Sequence, residues 1–193
     1  MNHTIQLKTY MKSKMHFLTA QKNTRMGAMK IALLRHGVNR FPFDVPELWG
    51  EFLKDIPEHF LSQGDTPTPE EWAIYMTLTL FAVHQQGESY SVHMENISLG
   101  KAMYVLKAKT PTNQEHIIQR FGMLVKSVTI QELSQSLYTL IKLLKMADIR
   151  LDYVQLAEDI YLFQNPQTRK AVQLRWGQDF YYPSGNSKHK RRI

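Results

Sequence analysis

Arg35-His36-Gly37 is the sharpest chemical triplet in the chain. A histidine beside an arginine can accept a phosphoryl group while the guanidinium holds its oxygens. Here Gly37 is followed by Val38-Asn39-Arg40, and Ile31-Ala32-Leu33-Leu34 before it reads as helix. The other histidines offer less. His84, His93 and His116 have no second ligand at a metal-like spacing, so they read as surface or capped core side chains. Gly100-Lys101 lacks the upstream glycine and the following Ser or Thr of a phosphate loop. Asp152 reads as a helix N-cap, and Glu158-Asp159 as a solvated face. With no cysteine in 193 residues there is no thiol nucleophile, disulfide or Cys-ligated metal, which agrees with a reducing cytoplasm. No catalytic residue, metal or cofactor is expected. What remains is a set of lysines and arginines able to hold phosphates.

The elements that position those cations are helical. Thr68-Pro69-Glu70-Glu71 supplies a cap, a proline at the first helical position and a capping-box glutamate before a run to Gly87. Thr112 with Glu115 and Thr129 with Glu132 repeat the start signal, and Asn165-Pro166 opens the last helix. Further helices are expected near 4–20, 25–36, 46–61, 98–107 and 152–164, with no alternating strand. Ile130, Leu133, Leu137, Leu140, Ile141 and Leu144 form one apolar stripe, leaving Lys142 nearly opposite. Ile117, Ile118, Phe121, Leu124, Val125 and Val128 form another, with Arg120 on its flank and Lys126 nearly opposite. The fold class is all-α, in two packed helical bundles. Thr110-Pro111 marks the boundary, giving an N-terminal bundle over 1–109, a C-terminal bundle over 110–182 and a basic disordered tail over 183–193. The ten methionines read as core filler. Trp176, Phe180, Tyr181 and Tyr182 invite a stacking role, but Trp176 and Phe180 share a helical face with Val172, which favours core or subunit interface.

Charge is strongly segregated. Residues 1–43 carry eight Lys/Arg and no acid, residues 44–95 one Lys and ten acids, and residues 96–193 fifteen bases and seven acids, within a net charge of +7. The basic start reads as part of the mature fold, without a cleavage-like junction. Either the segments neutralise each other, or two basic segments face a polyanion while the acidic one faces elsewhere. The longest apolar stretch, Trp72 to Val83, is interrupted by Thr77 and Thr79 and is too short to span a bilayer.

Several short blocks occur together and in order. They are Trp72-Ala73-Ile74-Tyr75, the run Leu80 to Gly87, Ser98-Leu99-Gly100-Lys101-Ala102, Gln119-Arg120-Phe121, and Leu174-Arg175-Trp176-Gly177-Gln178-Asp179-Phe180-Tyr181. Arg25 through Arg35, Pro46-Glu47-Leu48-Trp49 and Leu151 to Ala157 extend the pattern over nearly the whole chain. In this order and spacing the sequence resembles the CasB family, the small subunit of the type I-E CRISPR surveillance complex (Cascade). The resemblance implies a non-catalytic subunit that partners the repeated backbone subunit, the large subunit and a second copy of itself. It also implies contact with the CRISPR guide RNA and the target DNA backbone, holding the opened R-loop while base pairing reads the sequence. By motif match the family's basic positions fall on Arg35, Lys101, Arg120, Lys142 and Arg169; Arg25, Lys126 and Arg175 complete the expected nucleic-acid-binding set. Where the family often has a basic pair, this chain has His36 beside Arg35 and Gln119 beside Arg120. The Arg35-His36-Gly37 triplet is also similar to the signature of the histidine phosphatases, which makes a phosphoryl hydrolase using Arg35-His36 the alternative.

Overall fold

A computed structural model describes residues 3–183, and the expected tail beyond Pro183 lies outside them. Nine α-helices run through the described residues: α1 His3–Gln21, α2 Arg25–Arg35, α3 Trp49–Phe52, α4 Pro69–Gln85, α5 Leu99–Lys109, α6 Gln114–Lys126, α7 Ile130–Met146, α8 Tyr153–Phe163 and α9 Pro166–Tyr181. The only β pairing among them is an isolated parallel bridge between His93 and Leu151. None of these helices is long and apolar enough to cross a membrane.

The starts of the helices follow the capping chemistry. Thr68 Oγ1 accepts from the Glu71 N–H at 3.0 Å, and Glu71 Oε2 accepts from the Thr68 N–H at 2.8 Å. Thr129 and Glu132 repeat this box on α7. Asp152 caps α8 by accepting from Val154 and Gln155, each at 3.0 Å, and Asn165 caps α9 ahead of Pro166. Two expectations fail for identifiable reasons. The stretch 46–61 is not one helix: 3-10 turns at Pro46–Leu48 and Glu58–Phe60 flank the single turn of α3. Asp55 sits at φ +62°, and Pro57 disfavours helix at Ile56. Thr112 does not cap α6, because Pro111–Asn113 forms a 3-10 turn and Asn113 holds the cap position without a side-chain bond.

α4 is the centre of the molecule. From Ala73 to Ala82 every side chain is buried, the mark of a helix covered on all sides. Its neighbours are α2, α7 and α8, and α8 also packs on α1. The second group is α5 with α6, α7 and α9. α5 thus lies with the C-terminal helices, and α8 returns to α1 and α4. At the α5–α9 crossing a Cβ on Gly100 would lie 2.4 Å from the Trp176 carbonyl oxygen and 2.6 Å from Asp179 Cβ, so only glycine fits.

The stripes are narrower than the pattern implied. α7 buries Leu133, Leu137, Leu140, Ile141 and Leu144, and α6 buries Ile117, Phe121 and Leu124. Ile118 is exposed because it lies off the line along which α6 meets α7, and Val128 because α6 ends at Lys126 and leaves it in the connection to α7. Methionine divides likewise: Met11, Met15, Met76 and Met103 fill the core, whereas Met26, Met29, Met94, Met123 and Met146 face outward.

Candidate nucleic-acid interface

The outer face of α7 is lined by uncharged polar side chains and Lys142. Its one acid, Glu132, is engaged in the capping box, accepting from the Val128 and Thr129 N–H groups at 2.8 and 3.2 Å. Those bonds, Val128 first, hold its pKa below the usual carboxylate value. On one flank, Ser134 Oγ donates to Asn39 Oδ1 at 3.0 Å. Asn39 occupies the left-handed region at φ +58°, which asparagine tolerates, and the turn sets Arg40 against α7. Arg40, Phe41, Trp72, Gln131 and Gln135 line a cleft of about 120 Å³. On the other flank, Arg120, Met123, Gln135, Ser136 and Thr139 line a second cleft of about 170 Å³. Gln135 is common to both. Lys142 stands two turns, roughly 10 Å, further along the same face, its Nζ 5.5 Å from the Tyr138 ring centroid.

Arg35 closes α2 near Lys145, and Lys145 Nζ donates to the Val83 carbonyl at 3.1 Å and to the Gln86 carbonyl, capping α4. Burial lowers the Lys145 pKa, Glu88 opposes this and the Arg35 charge reinforces it. Arg40, Arg120 and Lys142 therefore bracket one face, with Arg35 near Lys145 towards the end of α7, and among the described residues none of the four forms an ion pair.

The other expected cations lie elsewhere. Arg25 opens α2 and Lys126 closes α6; both are exposed. Lys101 Nζ donates to the Asn96 carbonyl at 3.4 Å beside the start of α5. Arg169 Nε donates to the Phe163 carbonyl at 2.9 Å, and its guanidinium lies 5.0 Å from the Phe163 ring centroid, so it closes α8. Arg175 is bound to Asp159, which is fully buried and also accepts from Trp176 Nε1 at 2.5 Å. Asp159 is thus no solvated face: it ties α8 to α9, and burial pushes its pKa up to about 6 against the opposing effect of Arg175. Sequence reasoning missed Arg40, whose position depends on the Asn39–Ser134 contact across the fold, and Lys145.

Ion pairing between the charge segments is sparse. Lys30–Glu51 and His3–Glu70, each at 2.6 Å, join residues 1–43 to the acidic segment; Lys8–Glu158 and Arg175–Asp159 complete the ion pairs of the described residues. Among those residues, no group of three or more His, Asp or Glu side chains could hold a metal ion.

The family model for CRISPR-associated protein Cse2 matches residues 30–181. The chain belongs to this Cse2 family. Its fold is similar to the crystal structure of CasB from Thermobifida fusca, with 26% identity over 91% of this chain and 97% of that one and a TM-score of 0.73. Two crystal structures from Thermus thermophilus, one of a Cse2-family CRISPR-associated protein and one of CasB, share the fold at 19% identity and TM-score 0.65, covering 88% of this chain and 96% of theirs. No curated protein matches by sequence.

Within a Cse2-family helical fold, Arg35-His36-Gly37 has a structural explanation. Arg35 ends α2, exposed His36 is its C-cap, and Tyr75 Oη donates to the Gly37 carbonyl at 3.0 Å. A Cβ on Gly37 would fall 2.4 Å from that hydroxyl and 2.5 Å from Leu48 Cδ1, so the glycine serves packing. The phosphatase alternative requires a strand and a parallel sheet, and the described residues contain neither. His84 is a core histidine, its Nδ1 2.9 Å from the buried Tyr153 hydroxyl. His93 Nδ1 accepts from the Tyr153 N–H at 3.2 Å.

Proposed function

We propose that this Cse2-family chain is a non-catalytic, cytoplasmic subunit of a type I-E CRISPR complex that holds nucleic-acid backbone across the outer face of α7. In that complex its partners are the repeated backbone subunit, the large subunit and a second copy of itself, around the guide RNA and the target DNA. The observation that supports the reading is the bracket of Arg40, Arg120 and Lys142 around a face of Gln, Ser, Thr and Tyr, with the single α7 acid engaged in capping. Cations without acidic partners remain available to phosphate oxygens, and phosphates carry no sequence information. Strand exchange between a DNA duplex and a guide–target heteroduplex is nearly balanced, so a few backbone contacts are enough to favour the opened state. Arg169 and Arg175 stand outside this surface and serve the α8–α9 junction; Arg25, Lys101 and Lys126 are secondary contacts.

The test is target-duplex affinity of assembled complexes, wild type against Arg40→Ala/Arg120→Ala/Lys142→Ala, at two salt concentrations. The variant complex should assemble with guide RNA, bind target less tightly for every sequence tried, and show a log–log salt slope shallower by about 0.7 to 0.9 for each phosphate that is no longer engaged. Equal affinity and equal slope would place the backbone on another face. A loss confined to particular target sequences would mean base reading instead.

A further inference from the structure

The aromatic end of α9 packs against α5 and α6. Phe180 is fully buried and stacked on Phe121 of α6, with ring centroids 4.1 Å apart. Tyr181 stands edge-on against Phe180 at 4.8 Å, which braces its ring while leaving it 53% exposed; Tyr182 is 82% exposed. Beside them, the Lys107 ammonium at the end of α5 lies 4.3 Å from the Phe180 centroid, 5.3 Å from Tyr181 and 5.5 Å from Tyr104. Three rings around one ammonium fix it by cation–π attraction. Among the described residues this ammonium makes no ion pair, so its N–H donors remain unassigned. The nearest acid in α9, Asp179, is engaged by Ser98 Oγ at 2.5 Å. From Phe180 to the C-terminus the sequence has no acid and carries Lys188, Lys190, Arg191 and Arg192.

A braced, exposed aromatic ring beside a held cation suits a ligand that carries a flat π-face next to an anion, repeated along a flexible chain. Single-stranded nucleic acid has that chemistry: its bases stack on aromatic side chains irrespective of sequence, and its phosphates bind lysine. We propose that Tyr181 and Tyr182, with Lys107, form a second contact for single-stranded nucleic acid, in which a base stacks on the tyrosines and a phosphate meets the Lys107 ammonium. This rests on the reading of the chain as a nucleic-acid-binding subunit, and adds base stacking to the backbone contacts of α7.

The experiment measures binding of a fluorescein-labelled single-stranded oligonucleotide to the full chain by anisotropy across a salt series. It compares wild type with Tyr181→Ala, Tyr181→Phe, Tyr182→Ala and Lys107→Gln, with circular dichroism to confirm the fold of each. Tyr181→Ala should weaken binding roughly five- to 150-fold without changing the salt slope, because stacking releases no counterions. Tyr181→Phe should retain wild-type affinity, and Tyr182→Ala, at a more exposed position, should give a loss of the same kind. Lys107→Gln should make the slope shallower by about 0.7. Wild-type affinity in both alanine variants would overturn the proposal, as would a loss in Tyr181→Phe equal to that in Tyr181→Ala. Failure of the tyrosine variants to enter the assembled complex, with oligonucleotide affinity intact, would also overturn it and make the shelf a protein-docking surface. The α7 reading is tested separately by Arg40→Ala/Arg120→Ala/Lys142→Ala on duplex target, so either can fail while the other stands.

Discussion

Two buried ionisable groups should give this protein a pH dependence in which opposite trends cancel, and single substitutions should separate them. Asp159 is fully buried, and that burial raises its pKa from 3.8 to about 6 although Arg175 and Trp176 Nε1 oppose the shift. His84 is buried beside Tyr153; burial first, and the Lys145 charge second, lower its pKa from 6.5 to about 4. Between pH 4 and 6 the folded protein keeps a proton on Asp159 that the unfolded chain has lost, so this group stabilises at low pH and its contribution declines as pH rises through about 6. Over much of the same window the unfolded chain holds a proton on His84 that the folded protein excludes. That contribution is present above pH 6.5 and is lost as pH falls toward 4. Each shift spans roughly two units, worth about 3 kcal/mol, so in the wild type the two slopes largely offset each other. Asp159→Asn keeps an acceptor for Trp176 and removes the titration, so its stability should rise by about 3 kcal/mol from pH 4 to 6.5. His84→Gln should reverse the trend, with stability falling from pH 4 to 6. Urea unfolding followed by tryptophan fluorescence at half-unit pH steps provides the measurement. Parallel profiles for wild type and both variants across pH 4 to 6.5 would refute the assignment of these protons to Asp159 and His84.

Gly100→Ala should cost about 1–3 kcal/mol in urea unfolding, because its Cβ would meet the Trp176 carbonyl at 2.4 Å and α5 would have to move off α9; a neutral effect would mean the crossing can relax. Thr129→Ala should cost about 1 kcal/mol by removing the α7 cap. Thr68→Ala should cost more in the same assay, since the Thr68 hydroxyl also donates to the Phe60 carbonyl at 2.7 Å; equal costs would show that this second bond contributes nothing.

How much was legible in the sequence depended on whether the deciding interaction was local. The starts of α4, α7, α8 and α9 were readable because a cap satisfies N–H groups two or three residues away. The break of 46–61 was carried by Pro57, but the positive φ of Asp55 has no such signal. Asp159 read as solvated because its own helix gives no hint of what covers it; its partners Arg175 and Trp176 come from the next helix. Arg40 was invisible for the same reason, since the Asn39–Ser134 bond spans 95 residues. Lys142 was legible, because an apolar stripe on α7 determines what its opposite face must be.

Three of the blocks that carry the family resemblance turn out to be devices of the fold. In Leu80 to Gly87, His84 meets Tyr153, while Gln85 Nε2 donates to the Glu88 and Tyr90 carbonyls and its Oε1 accepts from the Val92 N–H, clamping the loop after α4. In Ser98 to Ala102, Ser98 holds Asp179 and Gly100 admits the α9 backbone. In Leu174 to Tyr181, Trp176 and Arg175 both bind Asp159. Each is a buried polar or close-packed contact, and changing one partner strands the other. Phosphate contacts obey a looser rule: a lysine or arginine anywhere along a face can reach the same strand, because the backbone charge repeats and long side chains adapt. Motif matching therefore identifies the scaffold far more sharply than the cations it carries. That is why Arg175, inside one of these blocks, serves the core, while Arg40, outside every block, stands on the candidate surface.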